Sequence, residues 1–132
     1  MMRELWILMA RILFLDDDPL SLKMFSKIME LSGHEAVTTS DSNEALSLAS
    51  TLSLDLMFTD FQMPETDGLQ VIRTLREQEE TQHLPVFVIS ANADEALGTQ
   101  VIEAGGQGFL RKPLRLDALL ATIQNCLEGN FS

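Results

Sequence analysis

Five short strand-like runs, at 12–15, 35–38, 54–59, 85–89 and 108–110, alternate with five longer segments whose apolar residues recur at helical spacing. Few architectures accept that alternation. Strand, crossover helix and next strand build a parallel sheet with helices on both faces. Right-handed crossovers then bring the carboxyl ends of all the strands to one edge. The reading is α/β: a single doubly wound, five-stranded parallel sheet with five helices. The 132 residues suit one domain, long enough to bury about two-thirds of its unfolded surface without staples.

Local signals mark the helix ends. Asp18-Pro19 supplies a capping carboxylate and a proline for the first helix, and Gly33 stops it. Met24, Ile28 and Leu31 are expected on its inner face. Asp41 or Ser42 caps the second helix, with Ala45, Leu46 and Ala49 on one side. The third helix, 68–77, turns Leu69, Ile72 and Leu75 inward, and a polar turn over 77–83 follows. The fourth, 93–104, is the weakest. Its apolar side is Leu97, Val101 and Ile102, Gly98 lies inside it, and Gly105-Gly106 ends it. The last helix carries a stripe of Leu116, Leu119, Leu120, Ile123 and Leu127 and stops at Gly129. Residues 1–10 are expected to be a leader, 11–128 the domain and 129–132 a tail.

The residues that close the strands are Asp16 and Asp17, Asp60, Ser90 and Lys112. Each has a plain structural reading alone. Asp16 to Asp18 can cap a helix, Ser90 can close a turn, and Lys112 can be a solvated charge. Together they bring three carboxylates, a hydroxyl and an ammonium to the edge where open α/β sheets bind ligands. Pro64 fixes one backbone angle in the loop after Asp60, and Gly68 permits a tight close.

Three neighbouring carboxylates repel one another. A hard divalent cation with oxygen ligands and retained waters offsets this best, which points to Mg²⁺. A tetrahedral oxyanion held by the cation would fit between Lys112 and the Ser90 hydroxyl. A carboxylate can itself take up a phosphoryl group as an aspartyl phosphate, with metal and lysine neutralising the oxygens in flight. Asp60 suits that role.

Charge narrows the partners. Nine basic and 20 acidic residues give a net charge of −11. That argues against a nucleic-acid surface, which needs clustered Lys and Arg, and fits a cation or a basic partner. Cys126 is the sole cysteine, so no internal disulfide forms and a reducing cytoplasm is the expected compartment. The apolar stretch at 5–15 is too short to span a bilayer and lacks a small-residue cleavage site; no membrane association is expected. His34 and His83 are read as surface residues, not phosphodonors.

The chain resembles a response-regulator receiver domain of two-component signalling. The matching pieces are Asp16-Asp17, Thr59-Asp60-Phe61-Gln62-Met63-Pro64 through Asp67-Gly68, Ile89-Ser90-Ala91, and Phe109-Leu110-Arg111-Lys112-Pro113. They run in the family's order over about residues 11–127. The resemblance implies a flavodoxin-like fold with strand order 2-1-3-4-5, the order of chemotaxis receivers. It implies Asp60 as phosphoacceptor, Mg²⁺ held by Asp17, Asp60 and the Gln62 carbonyl with Asp16 acting through water, and Ser90 and Lys112 on the phosphoryl group. It implies Ser90 and Phe109 as the switch pair acting on the face of the fourth helix, fifth strand and fifth helix, a face through which homodimers also form. It implies a cis Lys112–Pro113 bond. The expected donor is a phosphohistidine on a sensor histidine kinase or histidine phosphotransfer domain. The output partner is open, as is the choice between a stand-alone regulator and a receiver cut from a hybrid kinase or larger regulator.

Departures from the family pattern are mild. Ser90 stands where Thr is common, Phe109 where Tyr is common, and Thr66 replaces a frequent Met. Arg115 is a poor cap for the last helix. Gln62 and Asn92 fall at variable positions that tune phosphoryl lifetime. Two other classes fit less well. A phosphorylation-independent pseudo-receiver scaffold would not need the full set of Asp60, Ser90 and Lys112. A haloacid-dehalogenase-like phosphatase would use Asp16-x-Asp18, leaving the Asp60 loop without a role. Flavin binding is excluded by the absence of a Ser, Thr and Gly phosphate cradle in the first loop.

Overall fold

A computed structural model describes residues 9–92 and 94–129. Most of the expected leader, residue 93 in the expected fourth helix, and the last three residues of the tail lie outside them. Among the described residues the chain forms β1 (Arg11–Leu15), α1 (Pro19–Ser32), β2 (Glu35–Thr39), α2 (Ser42–Thr51), β3 (Leu56–Asp60), α3 (Gly68–Glu77), β4 (Val86–Ser90), α4 (Glu95–Ala104), β5 (Gly108–Arg111) and α5 (Leu116–Leu127). A 3₁₀ turn at Glu79–Thr81 lies inside the segment read as a polar turn, and it buries Thr81. The strands form one parallel sheet in the order β2-β1-β3-β4-β5. This is the expected flavodoxin-like topology.

The middle strands are apolar along their length because helices cover both faces. Ile12 to Leu15 and Leu56 to Phe58 are each 0–1% exposed. Alternate side chains feed two cores. Leu13, Leu15, Met57, Val86 and Val88 pack on the face covered by α2, α3 and α4. Ile12, Phe14, Leu56, Phe58 and Ile89 pack on the face covered by α1 and α5.

Caps set the helix starts. Asp18, Asp41, Asp67 and Asp94 each accept a backbone N–H in the first turn of the helix that follows. Arg115 gives α5 no side-chain cap, as its chemistry predicts. Gly33 and Gly105 end α1 and α4 in the left-handed conformation, with φ of 82° and 106°.

Three expectations about helix faces fail. In α1, Met24 and Leu31 are 44% and 75% exposed, and Phe25 and Met29 are buried instead. The Phe25 ring stacks on Phe14 at 4.5 Å between centroids, and that contact rotates the helix one residue away from the Met24–Ile28–Leu31 row. In α4, Ile102 is 59% exposed, and Leu97, Val101 and Ala104 make the inner face. In α5, Leu116 is exposed in the uncapped first turn, and Leu119 and Ile123 carry the burial. His34 is half-buried, with Nδ1 accepting the Ala10 N–H at 3.0 Å, so only His83 is a surface histidine.

Candidate functional site

The strand ends deliver the expected side chains to one edge. Asp60 is the last residue of β3, and its register partner on β4 is Ile89, one residue before Ser90. Asp16 and Asp17 follow β1, and Lys112 follows β5. Each of Asp16, Asp17 and Asp60 offers a carboxylate oxygen, all lying within 4.8 Å of one another. Lys112 Nζ donates to Asp60 Oδ1 at 3.2 Å. The Asp60 side chain is 11% exposed and that of Lys112 35%, so the pair lies at the surface of the sheet's edge, with Asp60 the more enclosed, rather than in the core.

The three acids differ in setting. Asp17 is exposed. Asp16 is buried, and its Oδ1 accepts the Asp18 N–H at 2.9 Å. Burial pushes the Asp16 carboxyl above its ordinary range; the Asp18 N–H pulls it back, and the Asp60 charge pushes it further up. One lysine therefore faces three acids, and its ammonium reaches Asp60. An all-oxygen donor set with uncompensated negative charge suits a hard divalent cation.

The loop after Asp60 is held tightly. Gly68 N–H donates to the Phe61 carbonyl at 2.7 Å. A Cβ at Gly68 would lie 2.9 Å from the Asp60 carbonyl oxygen, closer than real side chains approach, so glycine is required there by space. Gln62 and Asp67 form an isolated antiparallel bridge, and Met63 N–H donates to the Thr66 carbonyl at 3.1 Å. Gln62 itself is exposed at the loop's start.

Ser90 is 5% exposed, and its Oγ accepts the Asn92 N–H at 3.2 Å. The Lys112 N–H donates to the Ser90 carbonyl at 3.0 Å, joining the ends of β4 and β5 beside the acids. The Lys112–Pro113 bond is cis. Phe109 lies in β5, away from the carboxylates, half-buried against α4.

Two contributors were not anticipated. Thr39, 4% exposed at the end of β2, accepts the Asp16 N–H on its carbonyl at 3.2 Å; its hydroxyl donates to Glu44 and accepts the Asp41 N–H. Thr59 Oγ1 donates to the Asp60 carbonyl at 3.0 Å. Thr39 was within reach of sequence reasoning, since β2 also ends at this edge.

An acidic cluster, a buried hydroxyl and one lysine at the carboxyl edge of a 2-1-3-4-5 sheet define the receiver class. Comparison with known proteins agrees. The response regulator receiver domain profile matches residues 12–124. The polar-differentiation response regulator DivK of Brucella ovis is 32% identical over 116 residues, covering 88% of this chain and 94% of that protein. The Francisella response regulator 1452 receiver domain superposes with a TM-score of 0.84 at 26% identity, over 91% of this chain and 98% of that one. The chemotaxis response regulator CheY4 of Vibrio cholerae gives 0.83 at 27%, over 89% and 98%. The chain belongs to the response-regulator receiver-domain family, the signalling module of two-component systems. No helix among the described residues is long and apolar enough to cross a membrane.

Proposed function

We propose that the domain is a phosphorylation switch in which Asp60 is the phosphoacceptor, with a phosphohistidine on a sensor histidine kinase or phosphotransfer domain as donor. The carrying observation is the set of three carboxylates within 4.8 Å of one another, with Lys112 on Asp60. Mg²⁺ would be held by Asp17, Asp60 and the Gln62 carbonyl, with Asp16 behind; it supplies charge neutralisation for the incoming phosphoryl oxygens. Asp60 attacks phosphorus, and the phosphorus–nitrogen bond to the donor histidine breaks. Lys112 and the Ser90 hydroxyl take up the new oxygens. The added charge shifts a two-state equilibrium that Ser90 and Phe109 pass to the face of α4, β5 and α5, where an output partner or a second copy binds. The domain assists its own phosphorylation and slow hydrolysis without turning over a substrate, and its expected compartment is the cytoplasm. The domain is taken as 11–128, flanked by a leader and a short tail.

Beryllofluoride, a phosphoryl mimic, tests this reading. With Mg²⁺ present it should shift amide resonances around Asp60, Ser90 and Lys112, and D60N should show no shift. An unaltered response in D60N rejects Asp60 as acceptor.

A further inference from the structure

Gly98 is the one glycine inside a helix for which the backbone gives no reason. It lies within α4, donates its N–H to the Asp94 carbonyl at 3.1 Å, and has no positive φ. Glycine is the poorest helix former after proline. Space explains it. A Cβ built on Gly98 would lie 3.0 Å from Cε1 and 3.7 Å from Cδ1 of Phe109, so the phenyl ring rests against the bare helix backbone. Around that contact Thr99, Ile102 and Gly108 line an open groove between α4 and β5.

We propose that Gly98 is a positioning residue for Phe109: its missing side chain is the seat that holds the ring against α4 in the unphosphorylated protein. The consequence for signalling rests on the phosphorylation reading above. If the phosphorylated state moves the ring off this seat, occupying the seat removes a contact special to the resting state. A ligand selective for the other state then binds more tightly, because apparent affinity scales with the fraction already competent. The same residue should therefore set both the ring's position and the ease of activation.

Gly98→Val tests this in the full chain. Valine is at least as good a helix former as glycine, so loss of α4 is not the expected result. We expect displaced Phe109 ring resonances in the absence of phosphoryl mimic, and half-saturation by beryllofluoride with Mg²⁺ at a concentration lower by about threefold or more. Gly98→Ala, one carbon larger than glycine, gives a smaller change in the same direction and serves if the valine variant does not fold. In Gly98→Val/Phe109→Ala, the stability effects of the two changes should be non-additive, since the double variant has no ring to displace. Unmoved ring resonances, additive stability effects, or an unchanged or weakened beryllofluoride response in the glycine variants would each overturn the proposal. Failure of the wild-type protein to respond to beryllofluoride would instead reject the switch reading, leaving the ring-seat contact to be judged by the resonances and the stability cycle.

Discussion

The two edges of the sheet treat charge in opposite ways. At the carboxyl edge, three acids meet one lysine. At the amino edge, the Arg76 guanidinium donates to the carbonyls of Gly105 and Thr81 at 2.9 Å each and of Leu84 at 2.6 Å, with the Gln107 side-chain oxygen at 3.5 Å. Gln107 in turn accepts the Val86 N–H at 2.6 Å. One edge carries charge that its own residues do not balance. The other surrounds a cation with neutral acceptors and ties the end of α4, the 3₁₀ turn and the entry to β4 onto α3. The contrast separates two uses of charge: the acidic edge could hold the divalent cation that the proposed switch calls for, and the arginine edge pairs its cation with acceptors of its own.

Arg76→Ala should produce the largest effect, because it strands several half-buried carbonyls and removes charge-assisted hydrogen bonds. We expect a loss of about 2–3 kcal/mol in urea unfolding, with the Mg²⁺ affinity of the folded protein unchanged. Arg76→Lys should recover little, since a point ammonium cannot reproduce the planar fork. A loss below about 0.5 kcal/mol would break the contrast.

Asp16→Asn should act in the other direction. The amide still accepts the Asp18 N–H, and a buried charge beside two other carboxylates is gone. The metal-free protein should gain about 1 kcal/mol, while Mg²⁺ binding weakens by calorimetry. Loss of stability without metal would mean that the acids are not in excess.

The smallest effect belongs to His34, whose Nδ1 accepts the Ala10 N–H where the chain enters β1. Burial lowers its pKa, and the Asp55 charge opposes this. The folded state therefore favours neutral imidazole. Its contribution is present above the ordinary histidine value of about 6.5 and is lost as pH falls through the lower folded value. H34Q should flatten that part of the stability profile; an identical slope in wild type and variant would remove His34 from the account.

Much of this was legible in the sequence, for reasons the contrast clarifies. Asp18, Gly33, Asp67 and Gly105 punctuate helices through their own chemistry, so their roles could be read locally. Asp60, Ser90 and Lys112 end strands, and the topology of a parallel sheet gathers strand ends without any knowledge of contacts. Arg76 reads as an ordinary surface charge in the last turn of an amphipathic helix; its partners are backbone carbonyls, which leave no mark in sequence. The rotation of α1 depended on the Phe14–Phe25 stack, a choice between two adjacent apolar rows that spacing alone leaves open. Gly98 looked like a weakness in α4 because the ring that fills its place arrives from β5.

The most direct measurement locates the phosphoryl group. The protein is treated with acetyl phosphate and Mg²⁺, the acyl phosphate is trapped with borohydride, and the peptides are mapped by mass spectrometry. The account predicts a single modified position, Asp60, that disappears when Mg²⁺ is chelated. Modification at Asp16 or Asp17, or equal modification without a divalent cation, would contradict it.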